Sequence, residues 1–339
     1  MRTLVLLFVA ALTTVNATAS GQSLDLAVNN VGVSFGDSEE FTGFRFNYRD
    51  RRLRKMTGIN ATIWSPYEPA RGYVKGIALG LPTTGAKNID GLGLGILGVG
   101  ADESITGIMI GGLGVGAGQD MVGLAIGGLG GGSGRDATGI VIGGLGVGAG
   151  RNLKGIGIGG LGVAAGNDVQ GIFIGGLGAG AGNDATGLFI GGLGVGAGHD
   201  MRGIMIGGIG AGAGHDLIGL SVGGIGVGAG NLLKGIHIAG IAVGAPVVRG
   251  LIISGVTAGG QDVRAAVISP LYFKIEEDGY FRGVSIAAYN HIKGEQNGLT
   301  IGIFNWTEHL NGVQIGLLNY AGNQRKGLRW LPIINVHHD

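Results

Sequence analysis

Histidine and aspartate side chains recur at one place in a short sequence repeat, where their types and spacing could support metal binding. The pairs His199-Asp200 and His215-Asp216 lie sixteen residues apart, and Asp184 occupies the equivalent position one repeat earlier. Imidazole nitrogens and carboxylate oxygens are common ligands of divalent metals. If consecutive repeats stack, these side chains lie along one edge. We therefore expect a candidate metal site at Asp184, Asp200, Asp216, His199 and His215.

Two other interpretations of this edge remain open. The segment Gly180-Ala181-Gly182-Asn183-Asp184 is similar to the glycine–aspartate loops of calcium-binding β-rolls, although those loops repeat at a shorter period. Calcium is therefore the one cofactor that we retain as an alternative. The more ordinary interpretation is a solvated turn, because Arg135, Arg151 and Lys154 lie among the acidic residues.

Composition and motifs argue against several classes of function. The sequence has no cysteine, and we find no Ser-His-Asp, paired-carboxylate or phosphate-loop pattern. Many Gly-x-Gly-x-x-Gly matches occur, but none lies in a βαβ context, so they carry no dinucleotide meaning. The formal net charge of +1 creates no field that favours nucleic acid. We therefore predict a protein that is not an enzyme, with no nucleic-acid partner and no identified small-molecule substrate.

The elements that would position these residues follow from a repeat with a fixed period. Glycine makes up 79 of the 339 residues, which excludes helices across the repeats because glycine costs about 1 kcal/mol per helical residue relative to alanine. A short fixed period predicts one small unit stacked many times. In the regular block the repeats start at Gly107, Gly123, Gly139, Gly155, Gly171, Gly187, Gly203, Gly219 and Gly235.

Apolar residues within each repeat predict the buried positions. The first and third residues after the starting glycine are apolar, as in Ile108 and Ile110, and so are the sixth and eighth, as in Leu113 and Val115. We expect all four to point inward, with a corner between the two pairs. The second position then faces outward and forms an apolar contact stripe for self-association, a membrane or another envelope component. The residues of this stripe are Met109, Val141, Phe173, Phe189 and Met205.

The seventh position predicts where the corner lies. It is glycine in the regular block, as in Gly114 and Gly146, and asparagine in the outer repeats, as in Asn290, Asn305 and Asn319. Glycine and asparagine share a tolerance of positive φ. We therefore expect the seventh residue to adopt positive φ, and the substitution Gly146→Val to be strongly destabilising.

These patterns predict an all-β fold. We expect a β-solenoid with two short strands per 16-residue coil; the alternative is an outer-membrane β-barrel in which repeats form antiparallel strands. The segments we predict are a signal peptide (1–21), an N-terminal cap strand (22–42), a glycine-rich solenoid (43–258, regular over 107–250), an irregular insertion (259–282), and C-terminal repeats with a cap (283–339).

The C-terminal repeats resemble those of a known group of proteins. Gly298-Leu299-Thr300-Ile301-Gly302-Ile303-Phe304-Asn305 is similar to the G-L-x-I-G-L-x-N repeats of exported bacterial surface-repeat proteins, and more loosely to coils in the heads of trimeric autotransporter adhesins. The resemblance implies export to the periplasm, outer membrane or cell surface. It also implies a non-enzymatic role as a structural or contact surface of the envelope. A calcium- or metal-dependent binding module and an outer-membrane barrel protein are the alternatives.

Overall fold

The described part of the chain folds as a β-solenoid of about 16 turns, with 75% of its residues in strands and no helix. The computed structural model describes residues 16–20 and 23–338, and the side chains of 23–338. The predicted signal peptide (1–21) lies outside the described residues except for 16–20, which form a strand. In the described part of the chain, no helix has the length and hydropathy needed to cross a membrane. The chain divides into two compact units, Met1–Ala165 and Gly166–Asp339.

The described residues of the first unit form fifteen strands. Their bounds are β1 (Asn16–Ser20), β2 (Ser23–Val28), β3 (Val31–Gly36), β4 (Glu40–Arg49), β5 (Lys55–Trp64), β6 (Tyr73–Gly80), β7 (Thr83–Gly95), β8 (Gly98–Gly111), β9 (Gly114–Ala117), β10 (Asp120–Gly127), β11 (Gly130–Ser133), β12 (Ala137–Gly143), β13 (Gly146–Ala149), β14 (Leu153–Gly159) and β15 (Gly162–Ala165).

Parallel pairing between equivalent residues of adjacent coils holds this unit together. In the regular coils, β10 pairs with β12 so that Gly123 lies opposite Gly139, and β11 pairs with β13 so that Gly130 lies opposite Gly146. At the N-terminal end, β1, β2 and β3 are instead antiparallel, and β3 then pairs in parallel with β4. The predicted cap region (22–42) therefore contains a β-hairpin. Consecutive coils of the repeat stack in parallel, so the alternative in which the repeats form antiparallel strands is wrong.

The second unit, described up to residue 338, contains the other fifteen strands. Their bounds are β16 (Val169–Gly175), β17 (Gly178–Ala181), β18 (Ala185–Gly191), β19 (Gly194–Ala197), β20 (Met201–Gly207), β21 (Gly210–Ala213), β22 (Asp216–Gly223), β23 (Gly226–Ala229), β24 (Leu232–Ala239), β25 (Ala242–Gly244), β26 (Val247–Ser254), β27 (Thr257–Ile268), β28 (Tyr272–Ile286), β29 (Tyr289–Ala321) and β30 (Trp330–His337).

Parallel pairing also builds the second unit, including the segment we expected to be an insertion. Strand β27 pairs in parallel with β26 and β28, so residues 259–282 belong to the stacked coils. The extra residues are confined to 276–279, where the register shifts between Ile275 and Tyr280. The expected insertion is therefore a short bulge. Strand β30 closes this end by pairing antiparallel with β29.

The starting glycine bends the first strand of every regular coil. Gly107, Gly123 and Gly139 have φ of 120°, 122° and 122°, a region that residues with a Cβ rarely adopt. A Cβ at Gly139 would also collide with the carbonyl oxygen of Gly123 in the preceding coil. The seventh-position glycine is different: Gly146 has no positive φ, and a Cβ there would lie 3.6 Å from the oxygen of Gly162. Our assignment of positive φ to the seventh residue is wrong.

This bend reverses the burial that we predicted for the first strand. Thr138 and Ile140, on either side of Gly139, are both exposed, and Val141 is 1% exposed. The residues predicted to form an outer contact stripe are core residues, because the change in side-chain direction occurs at the starting glycine rather than after the third position. Each of them is at most 1% exposed: Met109, Val141, Phe173, Phe189 and Met205. The inward orientation of the eighth position, as at Val115, is confirmed.

Compensating side-chain volumes fill this thin core. Where the second position is Gly157, the residue four positions earlier is Leu153; where it is Phe189, that residue is Ala185. Phe173 and Phe189 stack in adjacent coils with ring centroids 5.5 Å apart. Interiors pack at crystal-like density, and in these two coils the small residue makes room for the large one.

The core becomes polar at the C-terminal end of the second unit. Asn290, Asn305 and Asn319 are fully buried, and each of the first two donates an Nδ2 hydrogen bond of 2.7 Å to the Oδ1 of the next. Nδ2 of Asn319 donates to the backbone oxygen of Leu331 at 3.1 Å in the closing strand. The asparagines at the seventh position therefore form a buried ladder of hydrogen bonds. They do not adopt the positive φ that we expected. Buried amides are stable here because their hydrogen-bonding groups are paired.

Candidate functional site

The predicted aspartates of the second unit form a ladder along one edge of the coils. Oδ1 of Asp184 accepts the backbone N–H of Asp200 at 3.1 Å, and Oδ1 of Asp200 accepts that of Asp216 at 3.2 Å. Coil stacking brings these residues together because each lies sixteen residues from the next. Each carboxylate thus satisfies a backbone donor at the turn between coils, a structural role typical of aspartate in turns.

The two candidate histidines lie side by side above this ladder. Their rings are stacked, with centroids 4.9 Å apart and planes inclined by 3°. His199 Nδ1 lies 3.1 Å from Asp184 Oδ1 and 3.4 Å from Asp200 Oδ1. His215 Nδ1 lies 3.2 Å from Asp200 Oδ1 and 3.2 Å from Asp216 Oδ1. The structure therefore brings all five predicted metal residues into one cluster.

Asp200 is the central carboxylate of this cluster. Burial favours the neutral acid, but the hydrogen bonds from the Asp216 N–H and the His215 ring outweigh it, and the charges of His199 and Arg202 add to them. The net effect holds the pKa of Asp200 below its usual value. Arg202 also forms an ion pair with Oδ2 at 2.7 Å. The carboxylate is therefore an anion held in a fixed orientation.

The equivalent edge of the first unit pairs its aspartates with arginines. Arg135 reaches Asp120 and Arg151 reaches Asp136, each with a nitrogen–oxygen distance of 2.8 Å. These side chains are 35–47% exposed, and ion pairs at the surface contribute about 0–1 kcal/mol. In this unit the edge therefore resembles the solvated turn of our ordinary interpretation.

An aliphatic face, which sequence reasoning placed inside, is the second candidate surface. We define the apolar face of the second unit as the first- and third-position residues of its coils, all of which are aliphatic. Ile172, Ile204 and Ile236 are exposed by 41%, 42% and 44%. The full set is Ile172, Ile174, Leu188, Ile190, Ile204, Ile206, Leu220, Val222, Ile236, Ile238, Leu251 and Ile253.

Exposed leucines and isoleucines at the sixth position extend this face at the corner of each coil. Leu177, Leu193 and Ile209 are 48–50% exposed. The sequence carried a signal for this arrangement that we did not use. The second position and the residue four positions earlier vary in size and type from coil to coil, whereas the first and third positions stay uniformly aliphatic.

Aromatic side chains form a further cluster near the C-terminal end of the second unit. Tyr289 stacks on Phe304 with centroids 4.9 Å apart, and Phe304 lies 5.8 Å from Trp330. In a parallel row, Trp306 stacks on Tyr320 at 5.6 Å. Sequence reasoning missed this cluster; its only signal was the recurrence of aromatic residues at repeat spacing. The rings stack on one another along the coils, so the row stabilises this end of the unit.

A shallow cavity of about 490 Å³ lies in the first unit under the loop 65–72. Pro66 and Glu68 of the loop and Asp102 of β8 border it, and its floor is formed by the glycines Gly85, Gly98, Gly100, Gly114 and Gly116. The backbone N–H of Ala70 donates to Asp102, which ties the loop down over the coil.

Comparison with known proteins adds no relative to these observations. No family model, curated protein or solved structure matches the chain.

Proposed function

We propose that this is a non-enzymatic, exported repeat protein of the bacterial cell envelope whose apolar face binds a second copy of the chain. The single observation that carries the proposal is an aliphatic face that runs through every coil of the second unit. Its first-position residues are exposed at Ile172, Ile204 and Ile236 and half-buried in the coils between them. Contiguous exposed apolar surface of this kind is typical of contact sites.

The size of the face supports pairing with a protein surface. Along the stack, six coils spaced at about 4.8 Å make the face roughly 30 Å long. Along each strand, the residues from the first position to the corner make it roughly 20 Å wide. The accessible surface of a ridged patch exceeds its projection, and stable interfaces contribute about 800 Å² per partner. Burying the exposed part of each large aliphatic side chain is worth about 0.5–1 kcal/mol. Over the whole face this is comparable with the 4–15 kcal/mol that association costs, so we expect reversible pairing.

The periodicity of the face favours a second copy over an unrelated partner. The first- and third-position side chains form rows that repeat at the coil spacing, and a second copy presents rows with the same spacing. A two-fold axis that lies in the plane of the interface therefore lets ridges of one copy enter the grooves of the other along its whole length. Such isologous contacts are the commonest basis of homodimers.

Location in the envelope is supported by the sequence alone. The apolar stretch from Leu4 to Leu12 after Arg2 is typical of a secretory signal. The resemblance of the C-terminal repeats to exported surface-repeat proteins points the same way.

The proposed contact between two copies is tested by replacing exposed isoleucines of the apolar face with threonine. The variant Ile172→Thr, Ile204→Thr and Ile236→Thr removes one row of exposed methyl groups, while threonine remains a good strand former. We expect the wild-type protein to dimerise in sedimentation equilibrium and the variant to dimerise at least ten-fold more weakly, with an unchanged melting temperature. A matched control is Thr186→Ser with Lys234→Gln, at exposed positions just before the bend.

A wild-type protein that stays monomeric, or a variant that dimerises as tightly as wild type, would overturn the contact. Envelope location is tested separately, by fractionating the native host with carbonate and detergent extraction. Recovery with the periplasm or envelope supports it, and recovery in the cytosol overturns it.

A further inference from the structure

We infer that His199, His215 and Asp200 form a surface site for a zinc-class divalent metal ion. This inference is independent of the apolar face and its proposed pairing. Among the described residues, these three are the one group of metal-ligating side chains whose donor atoms all lie within 4.8 Å of one another. Two imidazole nitrogens and one carboxylate oxygen make a three-ligand set, which leaves one position for water or for a donor from another molecule.

The two distances from a histidine Nδ1 to Asp200 Oδ1 fit a small tetrahedral ion. His199 Nδ1 lies 3.4 Å and His215 Nδ1 lies 3.2 Å from Asp200 Oδ1. A tetrahedral site with bonds of about 2.0–2.1 Å has neighbouring ligands roughly 3.3 Å apart. The two rings are stacked with centroids 4.9 Å apart, so they tilt toward each other to bring both Nδ1 atoms onto one ion. Both rings are exposed, which leaves room for this tilt and a path for the ion from solvent.

Neighbouring groups orient the carboxylate. The backbone N–H of Asp216 holds Oδ1 of Asp200, and Arg202 holds Oδ2. Such supporting hydrogen bonds fix a ligand before the metal arrives. Asp184 and Asp216 add negative charge on either side of the histidines, so the carboxylates outnumber the single arginine.

The histidines are not required by the turn itself. In adjacent coils the same position carries Asn183 and Asn231, whose Nδ2 atoms donate to Asp168 and Asp216 at 3.0 and 2.7 Å. Asparagine therefore makes the same structural hydrogen bond to the aspartate ladder. The two histidines in successive coils add what the asparagines lack: two imidazole nitrogens next to the carboxylate of Asp200.

The donor set favours zinc over the calcium we considered from sequence. Calcium takes six to eight oxygen ligands. Here two of the three clustered ligand atoms are ring nitrogens, and only one is a carboxylate oxygen. Imidazole suits zinc and its transition-metal neighbours. On binding, each ring would carry its proton on Nε2, so that Nδ1 is free to coordinate.

The test is a calorimetric titration of the full-length protein with zinc chloride. The variant His199→Asn with His215→Asn keeps the hydrogen bonds seen in adjacent coils and removes both nitrogen ligands. We expect wild type to bind one zinc ion per chain, to bind calcium at least a hundred-fold more weakly, and to lose zinc binding at least ten-fold in the variant. A His337→Asn, His338→Asn control, altered near the C-terminus, should keep the wild-type zinc affinity.

Three results would overturn the site: no zinc binding by wild type, equal binding by the His199→Asn, His215→Asn variant, or loss of binding in the C-terminal control. Melting temperatures measured without metal separate these outcomes from misfolding, because asparagine should leave the metal-free stability unchanged. A rise in melting temperature with zinc in wild type alone is the second readout.

Discussion

At the scale of single residues, one buried histidine links the core to pH. His237 is fully buried, and its Nδ1 is hydrogen-bonded to Ser221 Oγ at 2.7 Å. Its Nε2 has no hydrogen-bond partner. Burial lowers the pKa of His237 from 6.5 to about 4, because the charged ring loses its hydration in the core. The folded state therefore requires the neutral ring.

This pKa shift predicts that the protein loses stability in mild acid. An unfolded chain protonates this ring near pH 6.5 while the folded chain resists until about pH 4, so acidification across this window favours unfolding. We expect the loss to reach about 3 kcal/mol, at 1.36 kcal/mol per pKa unit. Denaturant unfolding of wild type and His237→Gln at pH 7 and pH 4.5 measures it. The variant should show a clearly smaller difference between the two pH values; equal differences would contradict the assignment.

At the scale of the element, the bent first strand decides which side chains enter the core. The bend lies at the starting glycine, where φ is positive in every regular coil, including Gly123 and Gly139. It places the second-position residue inside and its two neighbours outside. The same bend brings the backbones of adjacent coils so close that a Cβ at Gly139 would collide with the oxygen of Gly123.

Two glycine-to-alanine substitutions in neighbouring strands separate these effects. Gly139→Ala adds a Cβ at positive φ and against a carbonyl, and we expect it to lower the free energy of unfolding by at least 2 kcal/mol. Gly148→Ala adds a Cβ 3.7 Å from the oxygen of Ala164, and the equivalent position of the next coil is already an alanine. We expect it to change the free energy of unfolding by less than about 1 kcal/mol. Urea unfolding of both variants checks this, and a neutral Gly139→Ala would refute the bend.

At the scale of the whole molecule, low charge and an apolar surface go together. Charged residues are 13% of the chain and the formal net charge is +1, so charge repulsion gives little protection against association. The exposed apolar face is then the dominant chemical feature available for pairing.

This balance predicts how the proposed pairing responds to salt. Contacts between aliphatic side chains involve no ion pairs, whereas a charge-driven contact weakens as the Debye length shrinks from about 10 Å at 0.1 M salt toward 3 Å at 1 M. We expect the dimer dissociation constant to change less than three-fold between 50 and 500 mM sodium chloride. A ten-fold weakening in sedimentation equilibrium would assign the contact to charged side chains instead.

The sequence by itself determined the period, the strands and the parallel stack, because a sixteen-residue repeat with alternating apolar residues has few other ways to bury its surface. It also placed His199, Asp200 and His215 on one edge, since equal spacing becomes vertical alignment when coils stack. Only the tertiary structure decided which strand face is inside. Alternating apolar residues do not by themselves show which face of the strand is buried. The bend at Gly139 decides this, and it depends on backbone contact between adjacent coils, so the sequence of one repeat does not reveal it.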